Sequence, residues 1–251
     1  MPWGVLPEGE GVYRSALMLA ITRSAVFAIV LIITVTVFSV LAMTTVVLKP
    51  IYRYHVIKQW ARSMMHWACW ICDIGYEVHG KENLPAGPAI IMSKHQSAWE
   101  TMAFQKIFPP QVWVLKRELL WLPFFGWALA LTQPIAINRS DGFRALDQVV
   151  KQGIERLKAG RWVVIFPEGT RRTFGEKGKY AAGGGLLAAK SGYPVVPVAH
   201  NAGRYWPRRG FIKKPGIIQV HIGPVIEPAG KTAKQITQEA EDWIEGKMKD
   251  L

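Results

Sequence analysis

The sequence predicts an α/β domain, a β-sheet flanked by helices, preceded by N-terminal membrane-anchoring helices. Two observations lead to this fold class. From Gly75 onward, short apolar runs and turn signals alternate with helical patterns, which is typical of layered α/β folds. Before that point, an uncharged apolar stretch extends from Ser24 to Leu48. We therefore expect anchoring helices over residues 1–72 and the α/β domain over residues 73–251.

The composition indicates anionic partners. The 251 residues include 31 Lys and Arg against 18 Asp and Glu, a formal net charge of +13. Such an excess favours nucleic acid, anionic lipid or phosphorylated substrates, and composition alone does not choose among them. The 11 Trp residues favour lipid, because Trp is enriched at the boundary between membrane and water.

The stretch from Ser24 to Leu48 predicts an uncleaved membrane anchor. It is bounded by Arg23 and Lys49 and, at ~1.5 Å per residue, is long enough for a hydrocarbon core of ~30 Å. A cleaved signal peptide has a shorter apolar region, about 7–15 residues, and ends in a small-residue cleavage site. Whether the anchor spans the membrane or re-enters is left open by the sequence.

Basic and aromatic residues are interleaved after Pro50, as in a helix that lies in the membrane interface. The basic group comprises Arg53, His55, Lys58, Arg62 and His66, and the rings are Tyr52, Tyr54, Trp60, Trp67 and Trp70. More positive charge follows the apolar stretch than precedes it, so the C-terminal bulk is expected to be cytoplasmic.

The only two cysteines, Cys69 and Cys72, form a CxxC pattern in this aromatic region. A redox CxxC normally follows a strand, and a zinc site needs further ligands that are not evident nearby. We interpret both thiols as packed or lipid-facing. We predict no metal site, since no HExxH or comparable cluster occurs.

The remainder of the chain predicts the elements of the α/β domain. Helices are expected at 99–108, 142–159, 183–191 and 233–249, the last as a charged surface helix. Strands are expected at 76–79, 89–92, 112–115, 134–137, 162–166, 195–198 and 217–222.

His95 and Glu100 follow the strand at 89–92 and enter a helix. Reactive groups cluster at strand ends in α/β sheets. Five residues apart, the two side chains are not neighbours on a straight helix, but a loop at His95 would let the carboxylate reach the ring. A carboxylate on one imidazole nitrogen leaves the other free as a base. A hydrogen-bonded structural histidine is the alternative for this pair alone.

Three further strand ends carry charged residues. The first is Phe166-Pro167-Glu168-Gly169-Thr170-Arg171, where an arginine fork suits phosphate oxygens. The second is the strand that ends in Arg139, and the third brings Lys116. A proline-containing strand, Val195-Val196-Pro197-Val198-Ala199, completes the series.

The order of these motifs resembles the glycerolipid acyltransferase family and, within it, the bacterial enzymes that acylate 1-acyl-glycerol-3-phosphate. That family carries a His-x4-Asp motif, a strand-borne arginine, a Glu-Gly-Thr-Arg motif and a Val-Pro strand. Here the matching positions are His95–Glu100, Ile137–Arg139, Glu168–Arg171 and Val196–Val198. The resemblance covers about residues 76–223 and implies a mixed β-sheet.

The resemblance also implies roles for these residues. His95 would act as general base and Glu100 would support it in acyl transfer from a thioester to the sn-2 hydroxyl of the acceptor, giving phosphatidic acid. Arg139, Arg171 and Lys116 would hold the acceptor phosphate, while Glu168, Gly169 and Thr170 would support the loop. No cofactor is expected beyond the acyl-CoA or acyl carrier protein thioester. The expected partners are a lysophospholipid and membrane lipids, and the resemblance to bacterial enzymes implies a location at the bacterial inner membrane.

Two positions depart from the family pattern. Glu100 replaces the usual aspartate, and Lys94 stands where asparagine commonly precedes the histidine. The longer carboxylate side chain retains the charge that the dyad needs. Lys94 adds a positive charge that either disfavours protonation of His95 or contacts substrate phosphate.

Several functional alternatives remain at this point. The acceptor can instead be another lysolipid, glycerol phosphate or a lyso-aminolipid. A hydrolase would use His95 to activate water, and a basic membrane-binding module would not need His95 at all. The basic, aromatic region 204–214 contacts either anionic headgroups or only solvent. Nucleic acid is not expected, because none of the standard binding signatures appears.

Overall fold

The computed structural model describes residues 10–138 and 141–251 and contains one seven-stranded sheet in the order β1-β7-β6-β2-β5-β3-β4. The strands are β1 (Ile74–His79), β2 (Ile90–Ser93), β3 (Gln111–Lys116), β4 (Ile135–Ile137), β5 (Trp162–Ile165), β6 (Val195–His200) and β7 (Gly216–Ile222). Neighbouring strands run parallel except β6 and β7, which are antiparallel. The predicted mixed α/β class is confirmed.

Helices cover both faces of the sheet. They are α1 (Glu10–Thr44), α2 (Pro50–Cys72), α3 (Trp99–Ile107), α4 (Phe125–Leu131), α5 (Phe143–Lys158), α6 (Gly183–Ser191), α7 (Ala202–Tyr205) and α8 (Ala233–Met248). Short 3-10 turns occur at Thr45–Val47, Lys81–Asn83 and Arg117–Trp121. The predicted strands and helices all form, with shifted ends. The turn at Arg117–Trp121 and helix α4 are additions that the sequence pattern did not predict.

The central strands are buried on both faces, which explains their unbroken apolar sequences. Ile91 and Val164 face α2 and α3 in one hydrophobic cluster. Ile90 and Val163 face α5, α6 and α8 in a second cluster. The alternation follows from the two-residue period of a strand. β2 and β5 lie side by side with Met92 opposite Ile165, so the chain leaves both strands at the same edge of the sheet.

Helix α1 packs along the α/β domain on one side and is exposed on the other. Phe27 is fully buried and meets Trp206 edge-to-face with ring centroids 5.1 Å apart. The Ser24 hydroxyl accepts a hydrogen bond of 2.9 Å from the backbone N–H of Lys213. On the opposite side, Ile29 and Ile32 are exposed. The helix therefore combines a protein-facing side with an apolar outer side.

Within the described residues, one helical stretch, Arg14–Val47, is long and apolar enough to cross a membrane by length and composition. This long apolar helix supports membrane association. Its buried side runs from Ser24 to Ala42, and the helices that pack against it most extensively are α2 and α4.

The docking of α1 gives a stability prediction. We expect Phe27→Ala to lower the free energy of unfolding by about 3–5 kcal/mol, because it removes a fully buried ring and leaves a cavity. The change would appear as a lower thermal midpoint in detergent. The control Ile29→Ala, on the exposed side of the same helix, should alter stability by only about 0.5 kcal/mol. Equal midpoints for both variants would contradict this packing.

Candidate active site

His95 lies in a short loop between β2 and α3, at the sheet edge where β5 also ends. The loop is held by its backbone. The N–H of Lys94 donates to the carbonyl of Val198 at 3.1 Å, and the N–H of Arg172 donates to the carbonyl of His95 at 2.7 Å. His200 donates from Nε2 to the carbonyl of Lys94 at 2.9 Å. Strand β6 and the loop after β5 thus fix the position of His95.

Glu100, in the first turn of α3, folds back onto this loop. Its Oε1 lies 2.8 Å from His95 Nδ1, and the same oxygen accepts the backbone N–H groups of Gln96 at 3.0 Å and Ser97 at 2.9 Å. The carboxylate therefore reaches His95 because the loop, and not a continuous helix, separates the two residues. The longer glutamate side chain fits this arrangement.

The pKa of the Glu100 carboxyl lies below its ordinary value. Full burial by itself raises that pKa, but the hydrogen bond from His95, the nearby His200 and His95 rings and the Ser97 N–H together outweigh burial. Glu100 is therefore a carboxylate at neutral pH. A carboxylate only accepts hydrogen bonds, so Nδ1 of His95 carries the proton and Nε2 of a neutral ring keeps its lone pair.

The ring of His95 is held from its face as well as its edge. It stacks on Phe166 with centroids 3.8 Å apart and planes 12° apart, and Phe166 stacks in turn on Trp113 at 5.7 Å. The His95 side chain remains 14% exposed and lines a cavity. The contacts with Glu100 and Phe166 therefore fix the ring, and its remaining side is open to the cavity, where a general base could reach a substrate.

Glu168 connects the loop after β5 to the His95 loop. Its Oε2 accepts the backbone N–H of His95 at 3.1 Å, and its Oε1 accepts Lys94 Nζ at 2.8 Å and the N–H of Gly178 at 3.0 Å. A Cβ atom at Gly178 would lie 2.9 Å from Glu168 Oε1, so glycine permits this close approach. Glu168 is a structural link in this geometry.

Lys94 is buried, so of the two alternatives for its charge, contact with substrate phosphate does not fit the structure. The residue is 1% exposed, and besides Glu168 its Nζ donates to Glu245 Oε1 at 2.8 Å and to the carbonyl of Glu176 at 2.9 Å. Tyr180 also donates to Glu245 Oε1, at 3.0 Å. All of the donors of an ammonium group are thus engaged inside the protein. Glu245 lies on α8, and no motif in the sequence indicates this contact.

The cavity beside His95 has a volume of about 560 Å³ and two kinds of wall. Apolar side chains of α1 and α2 line one part, and cations line another. The apolar group includes Leu31, Val35, Phe38, Ile57 and Trp60, and the cations are Lys116, Arg171, Arg208 and Arg209. Gly169 and Thr170 of the loop after β5 also line it. A space of this kind accepts a molecule with acyl chains and an anionic group.

Of the three residues that were predicted to bind phosphate, the structure describes two, Arg171 and Lys116. Arg171 lines the cavity, and its Nε is hidden from solvent without a hydrogen-bond partner among the described residues. Its carbonyl accepts a hydrogen bond from Arg208. Lys116 is exposed at the cavity rim. Arg139 lies outside the described residues.

Arg208 and Arg209 were not among the sequence-predicted site residues. They belong to the basic, aromatic region 204–214, for which headgroup contact and a solvated loop were equal alternatives. Their position in the cavity wall favours a role in binding an anion. The sequence signal was their charge, but only the fold shows which site they face.

Comparisons with known proteins show the family of the chain. Residues 75–201 match the family described as Acyltransferase. The chain is 50% identical to the 1-acyl-sn-glycerol-3-phosphate acyltransferase of Pseudomonas aeruginosa, covering 80% of this chain and 79% of that protein. It is 30% identical to the protein of the same name from Borreliella burgdorferi, covering 66% of this chain and 67% of that protein.

The fold is also known from a crystal structure. The 1-acyl-sn-glycerophosphate (LPA) acyltransferase PlsC from Thermotoga maritima superposes with a TM-score of 0.75, over 95% of this chain and 96% of that chain. The two sequences are 21% identical, so this similarity shows a shared fold.

The buried ion cluster predicts a large effect for Lys94→Met. The substitution leaves Glu168 and Glu245 without their cation, and breaking a buried pair costs about 3–5 kcal/mol. A loss of this size should lower the thermal midpoint in detergent by about 6 °C or more. Lys190→Met, at an exposed position on α6, is the matched control and should leave the midpoint unchanged. A variant at position 94 as stable as this control would refute the cluster.

His200 predicts a pH dependence of stability. Burial lowers the pKa of His200 from its ordinary 6.5, and its ring nitrogens are already engaged in the neutral form. Below pH 6.5 the unfolded chain binds a proton that the folded chain does not, so stability falls as pH decreases, by up to ~1.4 kcal/mol per pH unit.

Thermal midpoints measured between about pH 7.5 and 5.5 test this dependence. His200→Gln should make the slope smaller in that window and leave the part due to His221, whose pKa burial also lowers, whereas His66→Gln, at an exposed position on α2, should keep the full slope. An unchanged slope in His200→Gln would assign the effect to another group.

Proposed function

The chain belongs to the acyltransferase family, and from this premise we propose that it transfers a fatty acyl group from an acyl thioester to the sn-2 hydroxyl of 1-acyl-glycerol-3-phosphate, giving phosphatidic acid. The motif resemblance to acyltransferases is confirmed by these matches. The observation that carries the proposal is the His95–Glu100 pair beside a cavity with apolar walls and a cationic wall.

His95 acts as the general base in this proposal. Its Nε2 takes the proton from the acceptor hydroxyl as the oxygen attacks the carbonyl carbon of the thioester. The tetrahedral intermediate then collapses, the C–S bond breaks, and the imidazolium returns the proton to the leaving thiolate. The acyl group passes directly to the acceptor, so the chemistry needs no protein nucleophile.

Glu100 stabilises the charge that develops on His95. Its carboxylate is already held by two backbone N–H groups, so it does not have to reorganise when the imidazolium forms. The same contact fixes the tautomer that leaves Nε2 unprotonated. The loop after β5 is supported in this proposal by Glu168, Gly169 and Thr170. Glu168 accepts a hydrogen bond from the backbone N–H of His95.

Arg171 binds the acceptor phosphate in this proposal, together with Lys116 and Arg139. The hidden Nε of Arg171 is a donor that an anion would satisfy. Charge-assisted bonds between a guanidinium and phosphate oxygens are shorter and stronger than neutral ones. The carbonyl contact from Arg208 keeps the Arg171 backbone at the cavity.

We further propose that the enzyme works at the bacterial inner membrane, with the α/β domain on the cytoplasmic face. The apolar outer side of α1 and the basic, aromatic α2 support this location. The partners are a lysophospholipid acceptor, membrane lipids and either acyl-CoA or acyl carrier protein as the thioester co-substrate. No further cofactor is proposed.

The decisive experiment supplies purified protein with lysophosphatidic acid and a labelled acyl thioester and measures labelled phosphatidic acid. His95→Ala should lower kcat by about 10²–10⁴-fold, because it removes the base. Arg171→Ala should lower kcat/KM for the acceptor by about 10–100-fold, the effect of ~1.5–3 kcal/mol from a charged hydrogen bond. Arg144→Ala, an exposed arginine on α5, is the control and should match wild type.

Other outcomes of this assay would change the proposed function. Release of free fatty acid without acceptor would indicate a hydrolase, and full activity of His95→Ala would exclude the proposed base. Equal rates with another lysolipid, glycerol phosphate or a lyso-aminolipid would change the acceptor but keep the chemistry. Acyl-CoA and acyl carrier protein thioesters compared side by side would identify the donor.

A further inference from the structure

A second apolar surface lies outside the anchoring helices, in residues 119–131. No charged residue occurs between Glu118 and Arg139. Trp121 is 70% exposed and Trp127 is 48% exposed, and Leu122 and Phe124 are exposed with them. Contiguous exposed rings of this size mark an interaction site, because water is a poor environment for them. We call residues 119–131 the aromatic segment.

The aromatic segment is continuous with the anchor. Helix α4, its second half, packs directly against α1. Phe125, which is 36% exposed, and Leu129 line the cavity together with Leu31 and Val35 of α1. The inner side of the segment thus forms part of the cavity wall, while the outer side is exposed next to the apolar helix α1.

The backbone of the segment holds these rings outward. Phe124 adopts φ +60°, which is unfavourable for a residue other than glycine. The turn is held by hydrogen bonds from the N–H of Phe125 to the carbonyl of Pro123 at 2.7 Å and from the N–H of Gly126 to the carbonyl of Leu122 at 2.8 Å. A Cβ atom at position 126 would lie 2.5 Å from the carbonyl oxygen of Leu119, so this position requires glycine. A strained conformation that exposes aromatic rings indicates a function for those rings.

The charges around the aromatic segment favour lipid as the partner that its exposed rings contact. Lys116 and Arg117 precede it and are exposed, and Glu118, between them and the segment, is exposed as well, so this flank carries a net charge of +1. Cations followed by Trp, Leu and Phe side chains match the order of headgroups and acyl chains in an anionic leaflet. The adjoining α1 surface is apolar in the same way.

We propose that the aromatic segment inserts into the same membrane leaflet as α1 and forms a second lipid contact of the enzyme, so that the cavity opens within the lipid. This inference rests on the membrane location in the proposed function. It assigns a role to a part of the chain that carries no catalytic motif.

The test measures the depth of single labelled positions in vesicles. In full-length protein carrying Cys69→Ser, which removes the exposed native thiol, Trp121→Cys or Trp127→Cys is labelled with an environment-sensitive fluorophore. The protein is reconstituted into phosphatidylcholine–phosphatidylglycerol vesicles with or without lipids brominated on their acyl chains. We expect blue-shifted emission and bromine quenching at both positions.

Two control positions show which part of the proposal is wrong if the expected quenching is not observed. Ile32→Cys, exposed on α1, reports on the anchor, and Lys190→Cys, exposed on α6, reports on water. Quenching at 32 but not at 121 or 127 would overturn the proposal and leave the membrane anchor intact. No quenching at 32 either would overturn the membrane location itself. A blue shift at 121 that grows with protein concentration, without quenching, would identify a second copy of the chain as the occupant and also overturn the proposal.

Discussion

The hydrogen bonding of two buried carboxylates, Glu100 and Glu168, is the constraint on which the site depends. A buried charge is stabilised by the donors that reach it. Oε1 of Glu100 accepts from the His95 ring and two backbone N–H groups, while its buried Oε2 has no hydrogen-bond partner among the described residues. Glu168 accepts from Lys94, the N–H of His95 and the N–H of Gly178. Each carboxylate therefore holds the His95 loop through hydrogen bonds, and together they restrict the motion of that loop. In the proposed mechanism, a base that is fixed before substrate arrives needs no reorganisation during the reaction.

The second feature of the molecule is that the anchor and the catalytic domain share one cavity. Residues of α1 and α2 form walls of the same space that His95 and Arg171 line. Attachment to a membrane and access to the site are thus consequences of one packing arrangement. Separately from the cavity, Phe27 of α1 is part of the hydrophobic core cluster and contacts Trp206.

Local patterns predicted much of this structure because they depend on local physics. Apolar runs placed all seven strands, and the strand-end motifs placed His95, Glu100 and Arg171 at one sheet edge. Helix α4 was missed, because its seven residues are too short and too uniformly apolar to show a helical period. The role of Lys94 was left between two alternatives for a different reason. One of its buried partners, Glu245, lies 151 positions away in the chain, and no local pattern links the two residues.

The sequence by itself determined the α/β class, the apolar anchor, the motif order and hence the family, since each is a property of neighbouring residues or their periodicity. The tertiary structure decided the rest: that Lys94 is an internal counter-ion, that Arg208 and Arg209 join the cavity, and that residues 119–131 are exposed beside α1. These facts depend on distances between segments far apart in the chain. Such distances are set by how helices and strands pack, and no local pattern encodes them.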